Sequence, residues 1–194
     1  MPAAKRKGIL LTIRRLVRER RAVSAVEFAL ILPVMLTLFL GGTEITQGIT
    51  IKRKTTIATR TIGDLVAQGT NITNDELTAI FAATSAVLAP YSAANLKMTI
   101  SSVVVDADNQ ATIVWSDGYN GATPHTDGEI ITLPNGLNAF PNTSLIWAEA
   151  EYTYTPAIGY VITGSLHLKD KLYLRPRLTK EVCRDKSGTK YCDL

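Results

Sequence analysis

Ala22-Val-Ser-Ala-Val-Glu27-Phe-Ala-Leu-Ile-Leu-Pro33-Val-Met-Leu-Thr-Leu-Phe-Leu-Gly41-Gly42 is the stretch that decides the fold. Extended to Thr43 it makes 22 residues whose only charge is Glu27, and Phe28 to Thr43 carries none. A helix rises ~1.5 Å per residue, so about 20 apolar residues cross the hydrocarbon of a bilayer. Residues 23–43 therefore read as one transmembrane helix. Pro33 removes one backbone hydrogen bond inside it and predicts a bend that neighbouring helices can compensate.

Working outward toward the N-terminus, residues 1–22 form a basic leader. Eight Lys or Arg stand against Glu19 alone, a net of +7, while the rest of the 194-residue chain holds 13 basic and 16 acidic groups, a net of −3. The pI of 9.1 is thus a property of the leader, and this asymmetry argues against a nucleic-acid partner. Cytoplasmic flanks are enriched in Lys and Arg, so the leader predicts an N-terminus inside and the bulk of the chain outside. A signal peptide cut near Gly41-Gly42-Thr43 and an uncut signal anchor remain alternatives, but neither accounts for Glu27.

A carboxylate in the embedded part of a helix costs roughly 2.5–3.5 kcal/mol by insertion scales. Near the helix end it can snorkel to the headgroups. Otherwise it calls for a positive group at similar depth.

The residues Ser24-Ala-Val-Glu-Phe-Ala-Leu-Ile-Leu-Pro33 resemble the opening of the TadE/TadG-like family, minor pilins of the tight-adherence (Flp) pilus. Tyr152-Thr-Tyr-Thr-Pro156 and Arg175-Pro-Arg177 are similar to that family's late tyrosine-rich strand and terminal Arg, and are the weaker match. The resemblance implies a leader cut on the cytoplasmic side between Ala22 and Val23, although Ala22 stands where prepilins usually carry Gly. It makes Val23 the first residue of the mature chain, with Glu27 at its fifth position and Phe28 at its sixth. Glu27 would then pair with the new amine of a neighbouring subunit. The implied partners are the major Flp-type pilin and other minor pilins, a prepilin peptidase and the inner-membrane pilus assembly platform.

Beyond the membrane, Ile45, Ile49, Ala58, Ile62, Leu65 and Val66 make an imperfect apolar stripe, which predicts an amphipathic continuation of the helix over 44–67 lying against the outer domain. The remaining segment, 68–194, reads as an extracytoplasmic α+β domain. A second, short helix opens at Asn74, taken as its N-cap, carries Asp75 and Glu76 in its first turn, and stops at Pro90. Residues 97–105 and 111–115 are rich in β-branched residues and predict a hairpin about the turn 106–110, while 117–121 reads as loop. Period-two alternation over 145–155 and again over about 164–174 predicts two neighbouring strands in one antiparallel sheet, covered by the long helix. The fold class is α+β: a long bent N-terminal transmembrane helix, a second short helix and a small antiparallel sheet, pilin-like in arrangement.

No catalytic or cofactor chemistry surfaces. Walker, dinucleotide and His-Glu-x-x-His motifs are missing, as is a Gly-x-Ser-x-Gly elbow, so neither a cofactor nor an enzymatic activity is expected. His125 and His167 read as surface residues. Asp106 and Asp108 lack the rest of a calcium loop and read as a turn. Cys183 and Cys192 are too few for a zinc site, so no metal is expected; in an oxidising compartment they can close a small terminal loop. The functional expectation is a minor pilin or pseudopilin that takes part in assembling an adhesive pilus. It would be single-pass in the bacterial inner membrane, with its C-terminal domain periplasmic. The alternative is an uncleaved, inner-membrane-anchored periplasmic binding module.

Overall fold

The computed structural model describes residues 20–134, 136–137, 140–156 and 164–193. The basic leader lies outside these residues up to position 19, and so does the side chain of Ala22. The chain divides into two compact units, Met1–Thr46 and Gln47–Leu194.

A single helix, α1, runs Arg20–Ala67 and has Pro33 inside it. It is followed by β1 (Asn71–Ile72), α2 (Asn74–Ala86), β2 (Leu96–Val105) and β3 (Ala111–Tyr119). Then come β4 (Ile130–Ile131), β5 (Thr143–Tyr154), β6 (Leu166–Leu174), β7 (Cys183–Lys186) and β8 (Thr189–Tyr191). The main sheet has the order β4-β3-β2-β5-β6, and every neighbouring pair in it is antiparallel. The class is α+β and the arrangement pilin-like: a long N-terminal apolar helix, a second helix and antiparallel sheet. The pair read from alternation, β5 and β6, are neighbours with Ala148 opposite Leu172.

The outer part of α1 packs on this sheet. Ile51, Ala58, Ile62 and Val66 are buried with Met98, Ile100, Trp115, Ile146, Ala148 and Tyr152 in one core. Its buried face also runs through Thr55 and Thr59. Their hydroxyls donate to the carbonyls of Ile51 and Thr55, each at 3.0 Å, so a polar residue can face the core without an unmet donor. The expected stripe is corrected at its start: Ile45 and Ile49 are 67% and 52% exposed. The period-3.6 pattern of apolar residues missed the threonines that carry the buried face instead. At Gly63 the helix comes close to the sheet. A Cβ there would lie 2.8 Å from Leu174 Cδ1 and 3.2 Å from the Ala148 Cβ.

The opposite face of the sheet holds a second core of Val103, Val105, Ile113, Leu133 and Leu145. Residues between β3 and β5, Ile131 and Leu137 among them, cover it.

Three local readings differ from expectation. The cap of α2 is Thr73 rather than Asn74, because Thr73 and Glu76 make a reciprocal capping box. Thr73 N–H donates to Glu76 Oε2 at 2.9 Å and Glu76 N–H to Thr73 Oγ1 at 3.3 Å. The Glu76 carboxyl accepts from the Thr73 N–H and also from Thr73 Oγ1 at 3.0 Å, and these two hydrogen bonds hold it below its ordinary value. The helix ends at Ala86, ahead of Pro90. Third, β3 runs through Asp117 and Gly118 to Tyr119. Gly118 is required there by the next loop, since a Cβ would meet the Ala122 carbonyl oxygen at 2.3 Å. The 106–110 turn is as expected: the Asp106 carboxylate accepts from the N–H groups of Asp108 and Gln110, at 2.9 and 2.8 Å.

A small second sheet, β1-β7-β8, went unread. Its β1–β7 pair is parallel. Two-residue strands carry no periodicity. What holds the pair is Arg184, whose side chain is 4% exposed. It donates to Asp117 Oδ2 (2.9 Å), Ile72 O (3.0 Å), Asp185 O (2.6 Å) and Asn74 Oδ1 (2.6 Å). Buried charge needs such full pairing. Trp115 Nε1 donates to Val182 O at 2.8 Å beside it. Cys183 and Cys192 are joined by a disulfide, their Cα atoms 5.0 Å apart.

Candidate functional site

The feature of the first unit that needs a function is its apolar surface. Val26, Phe28, Leu30, Ile31, Val34, Met35, Leu38 and Phe39 are all exposed, Leu30 and Leu38 by 71% each. Leaving one such side chain in water forgoes about 1.5–3 kcal/mol of burial. A contiguous set of this size marks a membrane or partner surface. From Val23 onward α1 is long and apolar enough to cross a membrane, and no residue of its most apolar stretch is buried within the chain. One N-terminal helix of this kind is consistent with a single membrane anchor.

The polar groups of this stretch are satisfied locally. Thr37 Oγ1 donates to the Pro33 carbonyl at 2.8 Å. Thr43 Oγ1 donates to Leu40 O at 2.7 Å and Thr46 Oγ1 to Gly42 O at 2.8 Å. Such back-bonding lets a hydroxyl enter hydrocarbon without an unmet donor. Pro33 has no N–H to give, so the carbonyl one turn earlier, at Ala29, loses its helical donor. Gly41 and Gly42 lie within the helix, with open space where side chains would be.

Glu27 is exposed on the same helix. Among the described residues nothing makes a hydrogen bond or ion pair with its carboxylate. Val23 lies four residues earlier, on the same face and about 5–6 Å away by helix geometry. Phe28 is exposed beside it. The structure thus brings Val23 and Glu27 together on one turn.

In the second unit, two positive groups that follow the apolar stretch are occupied. Lys52 Nζ donates to the Lys169 carbonyl and sits 3.7 Å from Asp170 Oδ1. Lys54 Nζ donates to the carbonyls of Val87 (3.0 Å) and Ala89 (2.7 Å). Both histidines, read as simple surface residues, have carboxylate partners on the outer face of β5. His125 Nε2 lies 2.7 Å from Glu149 Oε2, and His167 Nδ1 lies 2.7 Å from Glu151 Oε1. His125 also stacks on Trp147, ring centroids 4.3 Å apart. Burial pushes the Glu151 carboxyl up, but hydrogen bonds from His167 and Lys169 outweigh it and leave the group below its ordinary value. Burial, then the charge of Glu149, raises the Tyr173 phenol. The i, i+2 spacing of Glu149 and Glu151 was visible in the alternation, but their histidine partners come from elsewhere in the chain. Among the described residues no group of three or more His, Cys, Asp or Glu could hold a metal ion.

No curated protein and no solved structure matches the chain. The segment that does match a family is the one just described, the apolar stretch with Glu27, Pro33 and the start of the buried helix. Over residues 22–62 the chain matches the model of a family described as TadE-like protein.

Proposed function

We propose that this protein is a minor-pilin- or pseudopilin-like subunit that takes part in assembling a tight-adherence pilus for surface attachment. The observation that carries the reading is the unburied apolar helix inside the TadE-like segment, with Glu27 one turn beyond Val23. Prepilin peptidase removes the leader between Ala22 and Val23. The new Val23 amine of one subunit then meets Glu27 of its neighbour in a setting of low dielectric, where an ion pair is worth far more than in water. Phe28 and the apolar side chains beyond it face lipid before assembly and neighbouring helices afterwards. Pro33 supplies a bend that fits a crowded helix bundle.

The protein sits in the inner membrane with its leader in the cytoplasm and residues 68–194 in the periplasm. This orientation is supported by the leader's charge. It is also supported by the engagement of Lys52 and Lys54 with backbone carbonyls. A periplasmic location accords with the disulfide. The partners are the major Flp-type pilin, other minor pilins and the inner-membrane assembly platform.

N-terminal sequencing of the protein from its own membranes tests this. A mature chain beginning at Val23 is expected. An intact leader, or a cut near Thr43, overturns the reading. Replacing residues 1–43 with an unrelated anchor separates it from a tethered periplasmic binding module: a pilin loses piliation, whereas a tethered module keeps its function.

A further inference from the structure

In the main sheet β6 is an edge strand. Among the described residues no strand pairs with its outer side, so the backbone groups on that side have no ladder partner, and the one β6 carbonyl already engaged by a side chain is that of Lys169, which accepts from Lys52 Nζ. Burial falls off toward this edge. Ile146 and Ala148 of β5 are buried, while their β6 partners Leu174 and Leu172 are half-buried. Beside those two leucines, between β6 and α1, lies a cleft of about 310 Å³ that Arg60, Thr61 and Asp64 complete.

The outer face adds a charge pattern. Across the sheet the rows read Lys97–Glu151–Lys169 and Thr99–Glu149–Lys171. Sign alternates across all three strands in the first row and from β5 to β6 in the second, as cross-strand pairing favours. Lys169 Nζ already lies 3.3 Å from Glu151 Oε2. Glu149 is taken by His125, and among the described residues Lys171 has no ion-pair or hydrogen-bond partner.

We propose that the free edge of β6 is a docking site for an extended segment of a partner protein, added as a sixth strand, with acidic residues opposite Lys169 and Lys171 and apolar residues turned into the Leu172–Leu174 cleft. Backbone ladder bonds supply affinity and the alternating side chains supply specificity. A second copy of this chain fits the same edge less well. Antiparallel pairing centred on Asp170 sets Lys169 of one copy against Lys171 of the other, and like charges directly opposite are unfavourable. The inference stands apart from the reading of the membrane helix.

The test uses the full-length protein in detergent micelles and two labelled nine-residue peptides, one alternating Glu with Val and one alternating Lys with Val. The acidic peptide should bind and slow amide hydrogen exchange in residues 166–174 by about tenfold, and the basic peptide should leave it unchanged. Lys171→Glu should weaken the acidic peptide by about tenfold and admit the basic one, and Lys171→Gln should fall between. Unchanged β2 exchange checks that the variants are folded. Acidic-peptide binding that leaves β6 exchange unaltered, or that Lys171→Glu does not weaken, overturns the proposal. Protection of β6 that grows with protein concentration alone also overturns it, since that assigns the edge to a second copy.

Discussion

Gly63 of α1 and Leu174 of β6 meet at a distance that leaves no room for a side chain on the helix: a Cβ at 63 would lie 2.8 Å from Leu174 Cδ1. Leu174 can swing aside, but the Ala148 Cβ, 3.2 Å away, belongs to the central sheet and cannot. Replacing Gly by Ala inside a helix gains about 1 kcal/mol of propensity, whereas overpacking a core costs roughly 1–3 kcal/mol. Gly63→Ala should therefore destabilise the second unit by about 1 kcal/mol, and the bulkier Gly63→Val by more. Urea unfolding followed by tryptophan fluorescence measures it. An Ala variant more stable than wild type would show that the sheet yields.

Thr73→Ala should cost about 1 kcal/mol, the usual worth of an N-cap hydroxyl. Asn74, the residue that looks like the cap, is instead bound to Arg184 through its side-chain oxygen. Asn74→Ala should therefore disturb the C-terminal sheet and leave the start of α2 intact. Hydrogen exchange at Glu76 and Leu77 against that at Arg184 separates the two effects.

Arg184→Ala should be among the most destabilising single changes in the chain. It leaves the Asp117 carboxylate with Lys186 alone, at 3.8 Å, and strands the buried carbonyl of Ile72. Breaking a buried pair costs about 3–5 kcal/mol. Limited proteolysis should then cut within 175–193 in the variant and spare the wild type.

Stability should fall in acid through Glu151. Its folded-state carboxyl titrates below the ordinary 4.5, so the stabilisation it contributes is complete above that value and is lost as pH falls through the folded one. Glu76 shifts in the same direction and adds to the loss in the same window. Unfolding free energies at about pH 6 and about pH 3 should differ less in Glu151→Gln than in wild type. Equal differences would remove Glu151 from the account.

Glu27→Ala should insert into the membrane as wild type does, because it removes a residue that costs roughly 2.5–3.5 kcal/mol to embed. It should nonetheless fail to support pili. Membrane fractionation and electron microscopy of the same cells read the two outcomes, and normal piliation would take the assembly role away from this carboxylate.

Long-range burial was legible where a period ran for many residues. The alternation over Leu145–Thr155 marked the core face of β5 at Ile146, Ala148, Ala150 and Tyr152, all buried. The uncharged run after Glu27 marked a helix that has no buried contact in its apolar stretch. Reading failed where a side chain's role depends on a distant partner. Thr55 and Thr59 face the core because each hydroxyl returns to its own helix. Asp117 looked like part of a loop, yet it lies in β3 opposite Ile100 and holds Arg184, 67 residues away. His125 and His167 gave no sign of the glutamates they bind. Neither pattern nor propensity reports a contact between residues far apart in sequence.

The lysines of α1 have a mechanical consequence. Lys52 grips a carbonyl of the sheet's last strand and Lys54 grips two carbonyls just past the second helix, from positions two residues apart on one rod. Sliding that rod along its axis by a single residue, ~1.5 Å, would strain both grips at once and carry Gly63 away from the place where Leu174 and Ala148 leave no room for a side chain. A tug along the rod therefore loads these hydrogen bonds together rather than one contact at a time.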